Sequence, residues 1–260
     1  MTAKVVADPA WRAQARDEGL VVFAGADLIY LVPDVSRADA EQLAAAFDGR
    51  DIDPGALTSS ARDVLPQLRS LGALRPAALP GPGQSRTLRV GTQVLGDASP
   101  DLTSALAKAF PPVGDPDVLV VVRTTARLAE LVGLSAGLVR SGQIHVLLDL
   151  AFHHTIALGP LVVPGASACL ECLARRAGSR WGDPKPPPAP KAAAEPDLPI
   201  ALAAHALREL GDGSLALLQR SVSYDLRTLS STAEDVLPSA DCESCSRPHP
   251  GRITLPWESA

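Results

Sequence analysis

Residues 157–176 read ALGPLVVPGASACLECLARR and form the most informative stretch of the chain. In this stretch a hydrophobic run and a Pro-Gly turn lead into a C-x-x-C pair, Cys169 and Cys172. The chain has four cysteines in 260 residues, and the other two, Cys242 and Cys245, have the same spacing. Two such pairs can place four thiolates around one ion, the tetrahedral set typical of structural zinc. The spacing therefore predicts a metal site that joins two distant parts of the chain.

The grouping of the cysteines favours zinc over two alternatives. No cysteine is left over, and an ion held by four thiolates has no position for water, which indicates a structural rather than a catalytic ion. A redox-active C-x-x-C is one alternative, but it needs a thioredoxin-like context and does not explain why there are two pairs. Cysteines that bind no ion are the other alternative.

The composition predicts a globular protein and excludes several classes of partner. Hydrophobic residues make up 46% of the chain, and the net charge is -5 without any dense run of Lys and Arg. Because protein surfaces that bind nucleic acid are positively charged, we expect no nucleic-acid partner. The first twenty residues lack the apolar segment of a signal peptide, and no later segment has the length and apolarity of a membrane span. We therefore expect a cytoplasmic protein with no membrane partner.

Residues 1–75 have the pattern of a small α+β domain of winged-helix-like size. Two apolar runs within residues 20–32 are separated by a Gly-containing turn, which predicts a hairpin of two strands. Two helices follow. The second is predicted to begin at Ser59 or Ser60, with Pro66 near its first turn or at a bend.

The rest of the chain has the pattern of an α/β domain. Residues 76–86 are rich in proline and glycine, and we interpret them as a linker. Residues 87–260 begin with alternating strands and helices whose strands are continuous apolar runs, which favours a parallel, doubly wound, Rossmann-like sheet over a mixed α+β packing. The proline-rich residues 182–199 are predicted to be a solvated loop. Gly91 and Gly96 lie where a phosphate-binding turn would follow the first strand, although such turns usually contain more glycines.

Three segments of the second domain resemble a known family. The strand, turn and helix after residue 87, the string GPLVVPGASACLECLARR, and SYDLRTL followed by DCESC are similar to ThiF-like, ubiquitin-activating-enzyme-like adenylyltransferases. The string GPLVVPGASACLECL resembles more closely the divergent ThiF-like proteins of azole-forming (TOMM) bacteriocin clusters, the cyclodehydratase partners that bind leader peptides. The resemblance covers roughly residues 87–247 and implies a ThiF-type domain with zinc at the four cysteines.

The resemblance also implies partners. In that family a winged-helix-like clamp, the RiPP recognition element, captures the leader of a precursor peptide and presents the precursor to a YcaO-type cyclodehydratase. Residues 1–75 would be the clamp, and the leader would add as a strand to the edge near residues 28–32 and pack against the second helix. A homodimer through the sheet domain is also implied. The candidate peptide-binding residues are Leu28, Tyr30, Val32, Val64, Leu65 and Leu68.

The same resemblance predicts that catalysis has been lost. An active adenylyltransferase of this kind holds magnesium with an Asp after the middle strand, where this sequence has Arg123 and Thr124. Without that carboxylate the phosphate charge would go uncompensated, so we expect no ATP and no catalytic residue. The chain would be a non-catalytic scaffold. The alternatives are an active ATP-dependent adenylyltransferase or sulfur-carrier activator that uses Gly91 and Gly96, and a zinc-stabilised interaction protein unrelated to peptide modification.

Overall fold

The computed structural model describes residues 5–49, 51–76 and 87–245. The chain divides into two compact units, Met1–Ser85 and Arg86–Ala260, which we call unit 1 and unit 2. The predicted linker lies outside the described residues except for Pro76. Among the helices of the described ranges, none has the length and apolarity that a membrane span requires.

The described part of unit 1 consists of two three-stranded antiparallel sheets and two helices, with strand orders β5-β1-β6 and β2-β3-β4. Its elements are β1 (Val5–Ala7), β2 (Arg12–Arg16), β3 (Gly19–Phe23), β4 (Ile29–Pro33), α1 (Arg37–Gly49), β5 (Asp51–Ile52), α2 (Ser59–Ser70) and β6 (Leu74–Pro76).

The predicted hairpin is β3 and β4, which pair from Phe23 and Ile29 at the turn to Gly19 and Pro33 at the far end. A third strand, β2, pairs with β3 on the other side, and the sequence pattern did not reveal it. Its sequence RAQAR contributes only small alanine side chains to the core, so it lacks the apolar alternation of a half-buried strand.

Helix α2 begins at Ser59, as predicted, but it accommodates Pro66 in its second half. Pro66 therefore does not lie near the first turn, and of the two predicted alternatives a bend at Pro66 stays a prediction. Thr58 is the N-cap, and its hydroxyl accepts a hydrogen bond from the Ala61 N–H (3.2 Å).

Asp39 links the starts of α1 and α2. Its buried carboxylate accepts hydrogen bonds from the hydroxyls of Ser36 (2.6 Å), Thr58 (2.5 Å) and Ser60 (2.8 Å). These three bonds, first that of Ser36, hold the pKa of Asp39 below its ordinary value because they stabilise the charged form. The carboxylate therefore contributes to the stability of unit 1 only while it is ionised.

We expect the stability of unit 1 to fall as the pH is lowered. A folded-state pKa below the unfolded one gives stability that is present above the unfolded pKa and lost as the pH falls through the folded pKa. Urea unfolding at pH 7 and at pH 3 should show this loss in the wild type. It should be smaller in Asp39→Asn, which is also less stable at pH 7. Asp48→Asn, on the exposed side of the same helix, is the matched control, and equal pH dependence of all three proteins would contradict the role of Asp39.

The described part of unit 2 is a six-stranded mixed sheet covered by helices. Its elements are β7 (Val90–Leu95), α3 (Pro100–Ala109), β8 (Val118–Arg123), α4 (Leu128–Arg140), β9 (His145–Asp149), β10 (Thr155–Val162), α5 (Leu170–Trp181), α6 (Lys191–Ala194), α7 (Asp197–Gly211), β11 (Arg220–Asp225) and β12 (Ser230–Asp235). The strand order is β12-β11-β10-β9-β8-β7.

The prediction of a parallel sheet holds for half of the strands. β7, β8 and β9 are parallel, whereas β10, β11 and β12 each run antiparallel to the preceding strand. The reason is the length of the connections. Five residues separate Asp149 from Thr155, and a parallel neighbour requires a crossover of a dozen residues or so.

Helices lie on both faces of the sheet, as a doubly wound arrangement requires. Val120 faces a core with α3, α6 and α7, and its neighbour Val121 faces a core with α4 and α5. The proline-rich residues 182–199 are not a fully solvated loop, because α6 inserts Ala192 and Ala193 into the first of these cores.

Candidate metal centre and candidate binding edge

The first C-x-x-C pair is positioned by the turn between β10 and α5. The Val163 N–H donates to the Ser167 hydroxyl (2.8 Å), and the Ser167 N–H donates to the Val163 carbonyl (3.0 Å). Cys169 then forms the N-cap of α5 and Cys172 lies in its first turn. Both thiols thus lie at the start of α5, on the same turn of the chain.

The structure brings the two pairs together after a separation of about seventy residues. The Sγ atoms of Cys169 and Cys242 are 3.5 Å apart, and those of Cys172 and Cys245 are 3.4 Å apart. All four sulfur atoms lie within 4.8 Å of one another, and none is in a disulfide. Four sulfurs at about 2.3 Å from a tetrahedral zinc are separated by about 3.8 Å. The cluster therefore has the dimensions of an ion site.

The surroundings of the cluster determine the protonation of its thiols. Burial raises the pKa of Cys242 to about 12 and that of Cys245 further. Burial acts in the same direction on Cys172, but hydrogen bonds, first that from the Ser239 N–H (3.3 Å), bring its pKa below the ordinary value. An ion would displace the protons of the buried thiols, which makes its binding dependent on pH.

Two further contacts join α5 to the segment that carries the second pair. The buried Glu171 carboxylate accepts a hydrogen bond from the Ser244 hydroxyl and pairs with Arg175 (2.7 Å). The Arg176 guanidinium donates to the Asp235 carbonyl at the end of β12 (2.6 Å). The cluster is thus part of a larger connection between α5 and the end of the described chain.

Unit 1 has an exposed hydrophobic edge. Within the described ranges β4 pairs only with β3, and four consecutive large side chains, beginning one residue before the strand, are exposed. Their exposed fractions are 40% for Leu28, 60% for Ile29, 39% for Tyr30 and 49% for Leu31. Edge strands in soluble proteins usually carry charges or proline instead. We call Leu28 to Leu31 the open edge.

The residues predicted to bind peptide fall into two groups. Leu28 and Tyr30 belong to the open edge, and Tyr30 stacks on the buried Trp11 with ring centroids 5.9 Å apart. The other predicted residues contribute to the core of unit 1: Val32, Leu65 and Leu68 are buried in it, and Val64 is half-buried against it. Ile29 and Leu31, which the sequence analysis did not select, are more exposed than any predicted residue.

Only one of the two glycines of the predicted phosphate-binding turn lies in a turn. Gly91 lies within β7 and pairs with Leu119, so only Gly96 follows the strand. Gly96 has φ +99°, and a Cβ atom there would lie 2.6 Å from the Thr125 N. The Thr125 hydroxyl accepts a hydrogen bond from the Asp97 N–H (2.8 Å). The glycine therefore allows close packing of two loops, and a carboxylate lies beside the turn.

Arg123 forms a buried ion pair. It lies where an active adenylyltransferase of the resembled family would have a magnesium-binding Asp. Its guanidinium donates to Asp149 Oδ2 from Nε (3.0 Å) and Nη2 (2.7 Å), and to the Ala126 carbonyl from Nη1 (3.1 Å). Arg123 and Asp149 are paired across the parallel strands β8 and β9. At the carboxyl ends of these strands, where open α/β sheets bind ligands, the charges of these two side chains are therefore neutralised.

Comparisons with solved structures identify proteins of similar fold. A heterocyclase in complex with substrate and cofactor is 14% identical with a TM-score of 0.56, and the match covers 94% of this chain and 40% of that chain. The heterocyclase TruD is 15% identical with a TM-score of 0.59, covering 94% and 43%. E. coli MccB with ATP is 11% identical with a TM-score of 0.60, covering 94% and 100%.

These similarities show the fold that the chain shares with these proteins. The chain spans about two-fifths of the length of the two heterocyclases and matches the whole of MccB. No family model and no curated protein matches the chain.

Proposed function

We propose that the chain is a non-catalytic partner in the biosynthesis of azole-containing peptides. It binds the leader of a precursor peptide through unit 1 and presents the precursor to a YcaO-type cyclodehydratase, while unit 2 is stabilised by a structural zinc ion at the four cysteines. The observation that carries this proposal is the open edge. We propose that the protein lies in the cytoplasm, because the reducing conditions there keep the thiols of the four cysteines free.

The hydrogen bonding of the hairpin shows which groups of the open edge are free. The Ala24 N–H donates to the Leu28 carbonyl (2.9 Å), so the alternation of an antiparallel ladder directs the peptide groups of Tyr30 toward β3. The peptide N–H and C=O groups of Ile29 and Leu31 then point away from β3. An added strand would satisfy these groups, which is the usual mode of β-augmentation.

The side chains of the open edge favour an apolar peptide. Cross-strand partners lie on one face, so Tyr30 shares the core face with Val22, and Ile29 and Leu31 share the opposite face with Phe23 and Val21. An added strand would therefore meet hydrophobic side chains on both faces. We propose a leader segment of about five extended residues, matching the usual strand length, with apolar side chains and no proline at its pairing positions.

Two features of unit 2 support a role without adenylation. The turn after β7 is closed by Asp97 and Thr125, and the Asp97 carboxylate would repel a phosphate. The first turn of α3 is capped by the Ser99 hydroxyl, which accepts from the Leu102 N–H (3.1 Å), and contains Asp101. Both features make this helix start unfavourable for an anion. One similar heterocyclase is in complex with substrate and cofactor and MccB is in complex with ATP, and those ligands belong to those proteins.

The proposal predicts peptide capture without ATP chemistry. Affinity capture from the native host's lysate should recover a small precursor peptide or a YcaO-type enzyme with the wild type and not with the Ile29→Asp, Leu31→Asp double variant. The wild type should catalyse no ATP-pyrophosphate exchange. Exchange activity would instead support an adenylyltransferase. Equal recovery by both forms, or recovery of neither partner, would support an interaction protein unrelated to peptide modification. A homodimer through unit 2 stays a prediction.

A further inference from the structure

Unit 2 contains a cavity that neither the metal cluster nor the open edge explains. Its volume is about 650 Å³, within the range of roughly 300–1,000 Å³ that small-molecule sites have. It lies on the α5 side of the sheet, over strands β9 to β12, and its wall includes the chain that follows α5. From its lining and shape we propose that this cavity binds a small organic anion that carries a flat aromatic ring.

The floor of the cavity is formed by small side chains. Ala157 on β10 and Ser223 on β11 are direct cross-strand neighbours, and Ser221 lies two residues earlier on the same face. Larger residues here would fill the space under α5. The hydroxyls of Ser221, Ser223 and Thr155 make no hydrogen bond within the described parts of the chain, although all three residues are half-buried. These hydroxyls are available to a ligand.

Aromatic side chains lie at the mouth of the cavity. Phe152 is 47% exposed and Trp181 is 77% exposed, which is unusual for side chains of their size. The Arg123 guanidinium lies 5.6 Å from the centroid of the Phe152 ring and contributes a cation-π contact that orients the ring. Two exposed rings beside an apolar interior favour a ligand with a ring of its own.

The cavity lining contains four basic and four acidic side chains, and two of the basic ones have no carboxylate partner within the described residues. Arg176 donates to a backbone carbonyl and Lys185 forms no ion pair, so neither has a carboxylate partner in the described ranges. Arg180 is 3.6 Å from Glu234, an exposed pair of little strength. Asp149 is neutralised by Arg123. The Asp183 carboxylate accepts hydrogen bonds from helix N–H groups, and Asp235 forms with Arg220 (3.5 Å) an exposed pair that is as weak as that of Glu234.

The wall formed after α5 is fixed in place. The Asp183 carboxylate accepts hydrogen bonds from the N–H groups of Leu128 (2.7 Å) and Ala129 (3.1 Å) at the start of α4. Prolines at 184, 186 and 187 stiffen the segment that follows. The cavity is therefore formed before a ligand arrives, which reduces the entropic cost of binding.

The test uses two fluorescent probes that differ by one charge. We measure binding of 8-anilinonaphthalene-1-sulfonate and of neutral N-phenyl-1-naphthylamine to the full chain carrying Ile29→Asp and Leu31→Asp, so that the open edge does not contribute. The sulfonate should bind at least about tenfold more tightly than the neutral probe, which is about 1.4 kcal/mol. Equal binding of the two probes would overturn the assignment of an anion.

Two substitutions locate the site. Ser223→Leu fills the floor and should weaken binding of the sulfonate by about tenfold or more, while Ser231→Leu, on the exposed strand β12, should change it less than about twofold. Lys185→Glu should weaken binding of the sulfonate similarly, and Lys108→Glu, on the exposed face of α3, should not. Lys185 is exposed and makes no ion pair, so its replacement leaves the fold intact. Binding that is the same in each variant and its control would exclude the cavity.

Discussion

Replacing Cys242 with serine is expected to abolish metal binding at the proposed zinc site and to destabilise unit 2. The binding free energy of a structural zinc site is about 10–16 kcal/mol in small peptides, and part of it becomes folding free energy. We expect the free energy of unfolding of unit 2 to fall by about 5 kcal/mol, which lowers its Tm by about 10–20 °C. Elemental analysis of the purified protein and calorimetry measure both effects.

The control for this variant lies in the same loop. Ser239 contacts the Cys172 sulfur through its backbone N–H, so Ser239→Ala keeps the contact and should keep the metal and the Tm. A strong chelator should reproduce the effect of Cys242→Ser in the wild type and have no effect on the variant. Retention of one ion per chain by Cys242→Ser would show that this sulfur is not a ligand. A metal other than zinc in the wild type would correct the identity of the ion and leave its structural role.

Leu31→Pro is expected to weaken leader binding strongly while leaving unit 1 folded. The Leu31 N–H points to the free side of β4, where proline is tolerated because no ladder hydrogen bond is lost. The substitution removes a donor that an added strand would use, and its ring obstructs that strand. We expect the affinity for the precursor leader, measured by fluorescence anisotropy of a labelled synthetic peptide, to fall by at least about tenfold.

A neighbouring substitution shows the specificity of this effect. The Tyr30 N–H points toward β3, so Tyr30→Pro removes a ladder bond and should lower the Tm of unit 1. Leu31→Pro should keep the wild-type Tm. Undiminished peptide affinity in a folded Leu31→Pro protein would mean that the leader does not add to β4 as a strand, and the hydrophobic side chains alone would then have to explain binding.

The cysteine cluster could be predicted from sequence because a four-thiolate site needs a complete set of ligands. Its spacing is independent of how the intervening residues fold. The hairpin β3 and β4 could be predicted because its apolar runs flank a turn. The polar strand β2 could not, since its alanines give no hydrophobic alternation. The antiparallel direction of β10 follows from the short connection after Asp149, which the apolar pattern of the strands does not reveal.

The residues predicted to bind peptide lie partly in a core and partly at an exposed edge, because apolar residues of a core and of a groove have the same pattern in sequence. Leu65 and Leu68 repeat at helical spacing and lie in the core, whereas Ile29 and Leu31 lie on the opposite face of β4 from the residues selected. The partner of Arg123 could not be predicted either. Asp149 lies 26 residues away, and the register of two parallel strands brings it alongside.

The distance in sequence between the two cysteine pairs also has a consequence during synthesis. A ribosome adds about 5–20 residues per second, so Cys242 follows Cys172 after a delay on the order of 3–15 s. During this interval the nascent chain offers only half of the sulfur ligands, and Cys169 and Cys172 are open to oxidation. The Sγ atoms of these two residues lie 3.9 Å apart in the finished fold. A disulfide formed between them in the nascent chain would prevent the proposed ion from being captured when the second pair arrives, so filling the proposed site would require a reducing environment from the first appearance of α5.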